Sequence, residues 1–222
     1  MGHETEIKLR IQDVKALQAR LAKLGARRVF AGTGRVHEWN VLFDTPSQVL
    51  MRRRELLRIR TETPDGMRSG RAGGKRKRVL VTFKQPVRSE SRFGVGGRRR
   101  HKVREEMELE VSDAGAMARI LEGVGLRAWF RYEKFRTTFR LRKSQGWTAG
   151  LLIELDETPI GTFVELEGPP EAIDRAAQEL GFSEKDYLVS NYFSLYRTEC
   201  QRQGREVKDM IFPGRGSKIE NG

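Results

Sequence analysis

The segment Glu4-Thr5-Glu6-Ile7-Lys8-Leu9-Arg10 carries a charge at every even position and Thr, Ile or Leu at every odd one. A β-strand alternates its faces with period two, so Glu4, Glu6, Lys8 and Arg10 share one face and Thr5, Ile7 and Leu9 the other. Two carboxylates and a lysine on one face suit a site that holds a metal ion and a phosphate together. Carboxylate oxygens are hard ligands for Mg²⁺ or Mn²⁺, and ammonium and guanidinium groups bind phosphate oxygens.

The same alternation recurs along the chain. Arg58 and Arg60 share a face against Leu57 and Ile59. Lys84 lies opposite Val79, Val81 and Phe83. Arg104, Glu106, Glu108 and Glu110 alternate with Met107, Leu109 and Val111. Lys134 and Arg136 point away from Phe135 and Phe139. Glu154 and Asp156 alternate with Ile153 and Leu155, and Glu165 and Glu167 with Val164 and Leu166. For any one strand, a wet outer face explains such a pattern. Across the set, however, the charges segregate into carboxylate pairs (Glu4/Glu6, Glu106/Glu108, Glu165/Glu167) and cation pairs (Arg58/Arg60, Lys134/Arg136), where ordinary wet faces mix Thr, Ser, Lys and Gln.

The elements that would position these residues follow from periodicity and punctuation. Strands are expected near 36–44, 55–62, 78–84, 103–111, 132–142, 150–157 and 162–167, besides the first. Asp13 caps a helix whose apolar face is Val14, Leu17, Leu21 and Leu24 and which Gly25 ends. Further helices are expected over 113–124, 170–180 and 190–201. The fold class is therefore α+β. Amphipathic helices need an apolar sheet face to cover. Covering it from outside turns the charged faces inward, and eight strands can close into a barrel whose interior holds a small ligand. Crowded carboxylates in such a lumen repel one another, and a divalent cation relieves that. A polyphosphate site with one or two divalent cations is the expectation.

The 222 residues are 33% charged, with 43 Lys and Arg against 30 Asp and Glu, for a formal net charge of +13. That balance calls for an anionic partner. One cysteine, Cys200, excludes an internal disulfide and fits a reducing, cytoplasmic compartment. No apolar run approaches the roughly 20 residues that span a bilayer, so no membrane partner is expected. Basic, Gly- and Ser-rich loops interrupt the strands at about 64–78 and 86–102, and the chain from 204 to 222 is expected to be a disordered tail after a single domain over 1–203. The runs Lys75-Arg76-Lys77-Arg78 and Arg98-Arg99-Arg100-His101-Lys102 could grip nucleic-acid phosphates. They carry few aromatics to stack on bases, and such a binder gains nothing from inward carboxylates, so nucleic acid is not expected as the main partner. His3, His37 and His101 lack metal-ligand spacing. Tyr187 and Tyr192 are expected to pack in the core or to cover a tunnel mouth.

Glu4-x-Glu6-x-Lys8 resembles the ExExK signature of the CYTH superfamily, the triphosphate tunnel metalloenzymes. Leu57-Arg58-Ile59-Arg60, Thr82-Phe83-Lys84-Gln85-Pro86, Arg104-x-Glu106, Glu133-Lys134-x-Arg136, Asp156 and Gly161-x-Phe163-Val164-Glu165-Leu166-Glu167 follow in the family's order. The resemblance implies an eight-stranded antiparallel β-tunnel with helices outside. It implies Mg²⁺ or Mn²⁺ held by Glu4, Glu6, Glu165 and Glu167, with Glu106 and Asp156 helping. It implies triphosphate held by Lys8, Arg58, Arg60, Lys84, Arg104, Lys134 and Arg136. Glu4, Glu6, Lys8, Lys134 and Arg136 would form the catalytic set. The family includes class IV adenylate cyclases, thiamine triphosphatases and inorganic triphosphatases. The expected activity is hydrolysis of an inorganic or organic triphosphate, with conversion of ATP to cyclic AMP and pyrophosphate as the alternative. A homodimer is left open.

Overall fold

The charged alternation of the first segment folds as one long strand, and eight more follow. A computed structural model describes residues 2–29, 34–65, 77–87, 100–142 and 146–214. The order is β1 (Gly2–Ile11), α1 (Val14–Lys23), β2 (Arg27–Arg28), β3 (Arg35–Asp44), α2 (Val49–Arg52), β4 (Leu56–Pro64), β5 (Arg78–Gln85), β6 (Lys102–Val111), α3 (Ala114–Gly123), β7 (Arg127–Arg140), β8 (Leu152–Thr158), β9 (Gly161–Glu167), α4 (Pro170–Glu179) and α5 (Tyr192–Arg202).

Neighbouring strands run β7-β3-β4-β5-β6-β1-β9-β8, all antiparallel, and β8 pairs back onto β7. Eight strands thus close a barrel, and two-residue β2 extends the sheet at the end of β7. Closure removes the exposed edges an open sheet would leave. All eight expected strands are present. The short β2 and α2 went unanticipated, and β7 starts at Arg127, before the expected 132.

Helix starts match their local chemistry. The Asp13 carboxylate accepts from the Ala16 N–H at 2.9 Å, Asp113 from Ala116 at 2.8 Å and Asn191 from Ser194 at 2.8 Å. α2 is too short to stand on propensity. Asp44, at the end of β3, holds it by accepting from the Leu50 and Met51 N–H groups, each at 2.9 Å.

The apolar faces point outward, as the parity requires. α1 and α4 pack Leu17, Leu21, Ile173 and Leu180 against Ile7, Leu9, Ile153, Val164 and Leu166 of β1, β8 and β9. Each such side chain, fully buried, contributes about 1.5–3 kcal/mol. α3 covers Phe43, Ile59 and Val79 through Leu121. The outer face of β6 is not covered as expected, because Leu109 is 70% exposed. α5 packs against one end of the barrel, where Tyr192, Tyr196 and Cys200 meet inward-facing Leu42, Phe130 and Phe163.

The chain beyond Gly204 was expected to be disordered, but as far as residue 214 it lies along β7. The Met210 N–H donates to Arg131 O at 2.9 Å, the Glu133 N–H donates to Met210 O at 3.1 Å, and Met210 is buried. The reason is an open edge: β8 pairs only with residues 135–139 of β7, and the backbone before that needs partners. Residues 215–222, and 66–76 and 88–99 of the two basic loops, lie outside the described residues.

Gly168 turns the chain from β9, which carries Glu165 and Glu167, into α4. Its φ is +150°, and an added Cβ would lie 2.9 Å from Gly150 O. Gly168→Ala is expected to cost about 2 kcal/mol or more, read as a lower urea midpoint in circular dichroism.

Candidate active site

The barrel register sorts the inward residues onto two walls. β1, β9 and β8 are adjacent and contribute Glu4, Glu6, Glu165, Glu167 and Glu154, with Lys8 among them. β7, β4 and β5 contribute Lys134, Arg136, Arg58, Arg60 and Lys84. The cavity between them has a volume of about 460 Å³, and Lys102, Glu106 and Glu108 of β6 also line it. A larger cleft of about 760 Å³ lies on the outer surface among Arg20, Lys23, Trp147 and Arg175, away from these carboxylates.

On the acidic wall, Glu6 faces Glu167 across the β1–β9 ladder, and Glu154 faces Glu165 across β8–β9. Like charges directly opposite destabilise a sheet. Lysines relieve part of this. Lys8 Nζ lies 2.8 Å from Glu6 and 3.5 Å from Glu165, Lys102 Nζ lies 2.6 Å from Glu6, and Lys84 Nζ lies 2.6 Å from Glu4. Burial pushes Glu6 upward, but Lys8 and Lys102 hold it well below the usual carboxylate range. Burial raises Glu4 despite Lys84. Burial, then Glu154 and Glu4, push Glu167 up to about 8, and burial pushes Glu154 up to about 7 against the pull of Arg136.

The basic wall is anchored from behind. Asp156 is fully buried, and its carboxylate accepts from Lys134 Nζ at 2.6 Å, Arg136 Nε at 2.8 Å and the Tyr192 hydroxyl at 2.7 Å. Glu38 lies 3.3 Å from Arg60 and 3.5 Å from both Lys134 and Arg136. Burial opposes its charge, but Arg60, Lys134 and Arg136 hold its carboxyl down to about 2. Arg60 donates to Asn40 Oδ1 at 3.0 Å, and Arg58 donates to Thr82 at 3.1 Å and the Tyr132 hydroxyl at 3.3 Å. Each cation therefore has a fixed direction before any ligand arrives.

Of the residues expected from sequence, Glu4, Glu6, Lys8, Arg58, Arg60, Lys84, Glu106, Lys134, Arg136, Glu165 and Glu167 line one cavity. Asp156 sits behind the wall, and Arg104 lines an adjoining cleft instead. Sequence reasoning missed Glu38, Asn40, Tyr132 and Lys102. Val36, Glu38, Asn40 and Leu42 share a parity, so Glu38 and Asn40 were findable, while Lys102 fell in an expected loop. Tyr192 is both packed and part of the site. Tyr187 packs against the core under α1 and α4, and its hydroxyl donates to Asp174 at 3.1 Å.

Whether a divalent cation fits was tested on the donor set. Among the described residues no three carboxylates, histidines or cysteines converge at metal-holding distance in this lysine-bridged arrangement. The donors are nonetheless all hard oxygens, and the acidic wall holds two like-charge cross-strand pairs. On the other wall buried Arg58 Nε has no acceptor, as a site for an anion requires. A cation on the acidic wall and a phosphate on the basic wall both fit.

The raised carboxyls predict a pH dependence. Folded Glu154 and Glu167 keep a proton to about 7 and about 8, whereas an exposed glutamate loses it near 4.5. The folded state binds more protons in that window, so these two groups lower stability as pH rises from about 5 to 8.5, each by up to about 1.4 kcal/mol per unit. Urea unfolding of chelator-treated protein at pH 5.5, 7 and 8.5 checks this, with the midpoint expected to fall.

The CYTH domain family matches residues 2–192, and the chain belongs to that family. No curated protein matches it in sequence. A candidate adenylate cyclase from Vibrio parahaemolyticus has a similar fold, with a TM-score of 0.65 at 18% identity, covering 86% of this chain and 96% of that one. A protein from Pyrococcus horikoshii superposes with a TM-score of 0.65 at 20% identity over 88% and 99% of the two chains. A candidate adenylyl cyclase from Hippeastrum, described as having a dominant triphosphatase activity, gives 0.52 at 21% identity over 92% and 97%. No helix among the described residues is long and apolar enough to cross a membrane.

Proposed function

We propose that this chain is a divalent-metal-dependent enzyme that hydrolyses a triphosphate inside the barrel. The observation that carries this is a single cavity lined by Glu4, Glu6, Glu154, Glu165 and Glu167 together with Arg58, Arg60, Lys84, Lys134 and Arg136, the two sets meeting where Arg136 pairs with Glu165 at 2.9 Å and Lys84 with Glu4 at 2.6 Å. Glu4, Glu6, Glu165 and Glu167, joined by Glu154, would hold Mg²⁺ or Mn²⁺. When bound, the metal supplies Lewis-acid polarisation of phosphoryl oxygens. Arg58, Arg60, Lys134 and Arg136 grip the non-bridging oxygens and stabilise charge that grows as the phosphorus is attacked. Glu38 and Asp156 keep those cations aimed, so little reorganisation is needed at the moment of reaction. Asp156 is assigned to this anchoring role rather than to the metal. Lys8, between Glu6 and Glu165, joins the phosphate to the acidic wall.

Water is the nucleophile in this reading. Cyclisation, in which the ribose 3′-hydroxyl attacks the α-phosphorus, is the second reading. It is supported by the name of the Vibrio neighbour, while the dominant triphosphatase activity of the Hippeastrum protein favours hydrolysis. Product analysis decides. Purified protein with Mg²⁺ or Mn²⁺ is offered inorganic triphosphate and ATP in parallel. Released phosphate supports the hydrolase, and cyclic AMP with pyrophosphate replaces it by the cyclase. Absence of both products rejects both.

A further inference from the structure

The match to the family ends at residue 192, yet the basic wall has a support from later in the chain. Residues 209–212, beyond α5, lie against β7 beside Tyr132 and Lys134. We infer that this strap positions the basic wall, fastened through Asp209, Met210 and Glu133, and so sets how tightly a triphosphate is held. The inference rests on the triphosphate reading and adds positioning residues to it.

Three observations carry it. First, the strap closes a gap in the wall. β3 pairs along β7 from Arg127 to Thr137, but β8 pairs only with Phe135 to Phe139. On that second edge the strap meets the backbone of Arg131 and Glu133 instead. The Arg131 N–H donates to Asp209 Oδ1 at 2.8 Å, the Met210 N–H to Arg131 O at 2.9 Å and the Glu133 N–H to Met210 O at 3.1 Å.

Second, these bonds bracket two side chains of the cavity. Faces alternate along a strand, so holding Arg131 and Glu133 sets where Tyr132 and Lys134 point, and both line the cavity. The Tyr132 hydroxyl accepts from Arg58 at 3.3 Å, so a shift here also reaches a cation of β4.

Third, the strap satisfies a buried charge. Glu133 is 2% exposed, its Oε1 accepts from the Phe212 N–H at 2.8 Å, and its Oε2 lies 2.6 Å from His37 Nε2. A carboxylate buried without such partners is costly, so Glu133 and the strap hold each other. Phe212 also packs on Phe135 with ring centroids 5.6 Å apart, and the Tyr196 hydroxyl of α5 donates to Asp209 O at 3.3 Å.

An edge without backbone partners opens locally at low cost, and small misplacements of a gripping cation weaken its hold. The strap bonds to β7 and α5, whereas the acidic wall stands on β1, β8 and β9. Its loss therefore weakens the grip on phosphate and spares the grip on metal.

The test uses full-length Asp209→Ala, Met210→Pro and Asp209→Asn. Alanine removes the acceptor for the Arg131 N–H, proline removes the N–H that donates to Arg131 O, and asparagine keeps the acceptor oxygen. Each protein, shown folded by circular dichroism, is titrated calorimetrically with Mn²⁺ alone and with inorganic diimidotriphosphate in Mg²⁺. Asp209→Ala and Met210→Pro are expected to weaken diimidotriphosphate binding by about tenfold or more. Their Mn²⁺ affinity is expected to stay within about twofold of wild type, because the two walls are separate sites. Asp209→Asn is expected to bind diimidotriphosphate within about twofold of wild type, since only an exposed ion pair with Arg131 is lost. A strap that merely stabilises would lower the urea midpoint and leave both affinities unchanged, which overturns the inference and leaves the triphosphate reading standing. Equal losses for Mn²⁺ and diimidotriphosphate overturn it too. If Met210→Pro does not fold, the contrast between the two Asp209 variants decides. Wild-type protein that binds Mn²⁺ but no diimidotriphosphate overturns the triphosphate reading and this inference with it.

Discussion

Glu6→Gln is expected to lower metal-dependent turnover on the order of 10³-fold while the barrel stays folded. Glu6 is the carboxylate on which the acidic wall converges. It faces Glu167 across the ladder and accepts from both Lys8 at 2.8 Å and Lys102 at 2.6 Å. Glutamine keeps the shape and can still accept from those lysines. It removes one formal charge from the donor set and turns half its polar end into an N–H donor that repels a cation. The fold should survive because Lys8 keeps Glu165 as a partner at 3.5 Å. Steady-state kinetics on the better of ATP and inorganic triphosphate, over a range of Mg²⁺ or Mn²⁺, gives the reading. Turnover within threefold of wild type at saturating metal would remove Glu6 from the metal set. Circular dichroism and the urea midpoint separate lost chemistry from a lost fold.

The second large effect is on stability. Asp156→Asn is expected to cost about 3–5 kcal/mol, because it breaks a buried pair by removing one partner. Lys134 is 1% exposed, Asp156 is not exposed at all, and Arg136 and Tyr192 share the same carboxylate. An asparagine accepts through a single oxygen and puts an NH₂ against two cations. Some of the loss is cushioned, since Glu38 and Glu165 lie within 3.8 Å of Lys134. The measurement is urea unfolding in chelator, where metal binding plays no part. A loss of several kcal/mol there assigns Asp156 to the scaffold. A loss below about 1 kcal/mol, together with weaker metal binding, would return it to the ligand set that the resemblance implied.

The two variants divide the site by function. Asp156 and Glu38 are charges with almost no access to solvent, and their work is to hold cations in one direction. Glu6 and its neighbours face the cavity, where like-charge pairs leave a demand for a cation. The protein spends stability on that wall, as Glu154 and Glu167 record by holding their protons to about 7 and about 8.

Much of this was legible along the chain. Period-two alternation is a local property, so Glu4, Glu6 and Lys8 had to share a face, as did Arg58 with Arg60 and Glu165 with Glu167. Helix boundaries were legible for the same reason: Asp13 and Asp113 cap the N–H groups three residues on, and Gly25 and Gly181 follow helix ends. What alternation could not say is which face looks inward, since a wet outer face produces the same pattern. The folded chain decides it through pairing of β8 with β7, which closes the ring, and through α1 and α4 burying Ile7, Leu9, Val164 and Leu166 from outside.

Other features were invisible because their causes are distant in sequence. That Glu38 anchors cations depends on Arg60, Lys134 and Arg136, which only the closed barrel brings around it. Lys102 read as the end of a basic loop until pairing with β1 set it opposite Glu6. Residues 204–214 read as a polar tail, yet an open edge on β7 gave their backbone partners. By itself the sequence determined which side chains stand together on each strand, because that depends only on the alternation of neighbouring peptides. Only the tertiary structure decided which strands face one another, which carboxylates lie in the cavity and which behind it, and where the tunnel meets its second cleft. Those outcomes depend on ring closure and on contacts between residues more than a hundred positions apart.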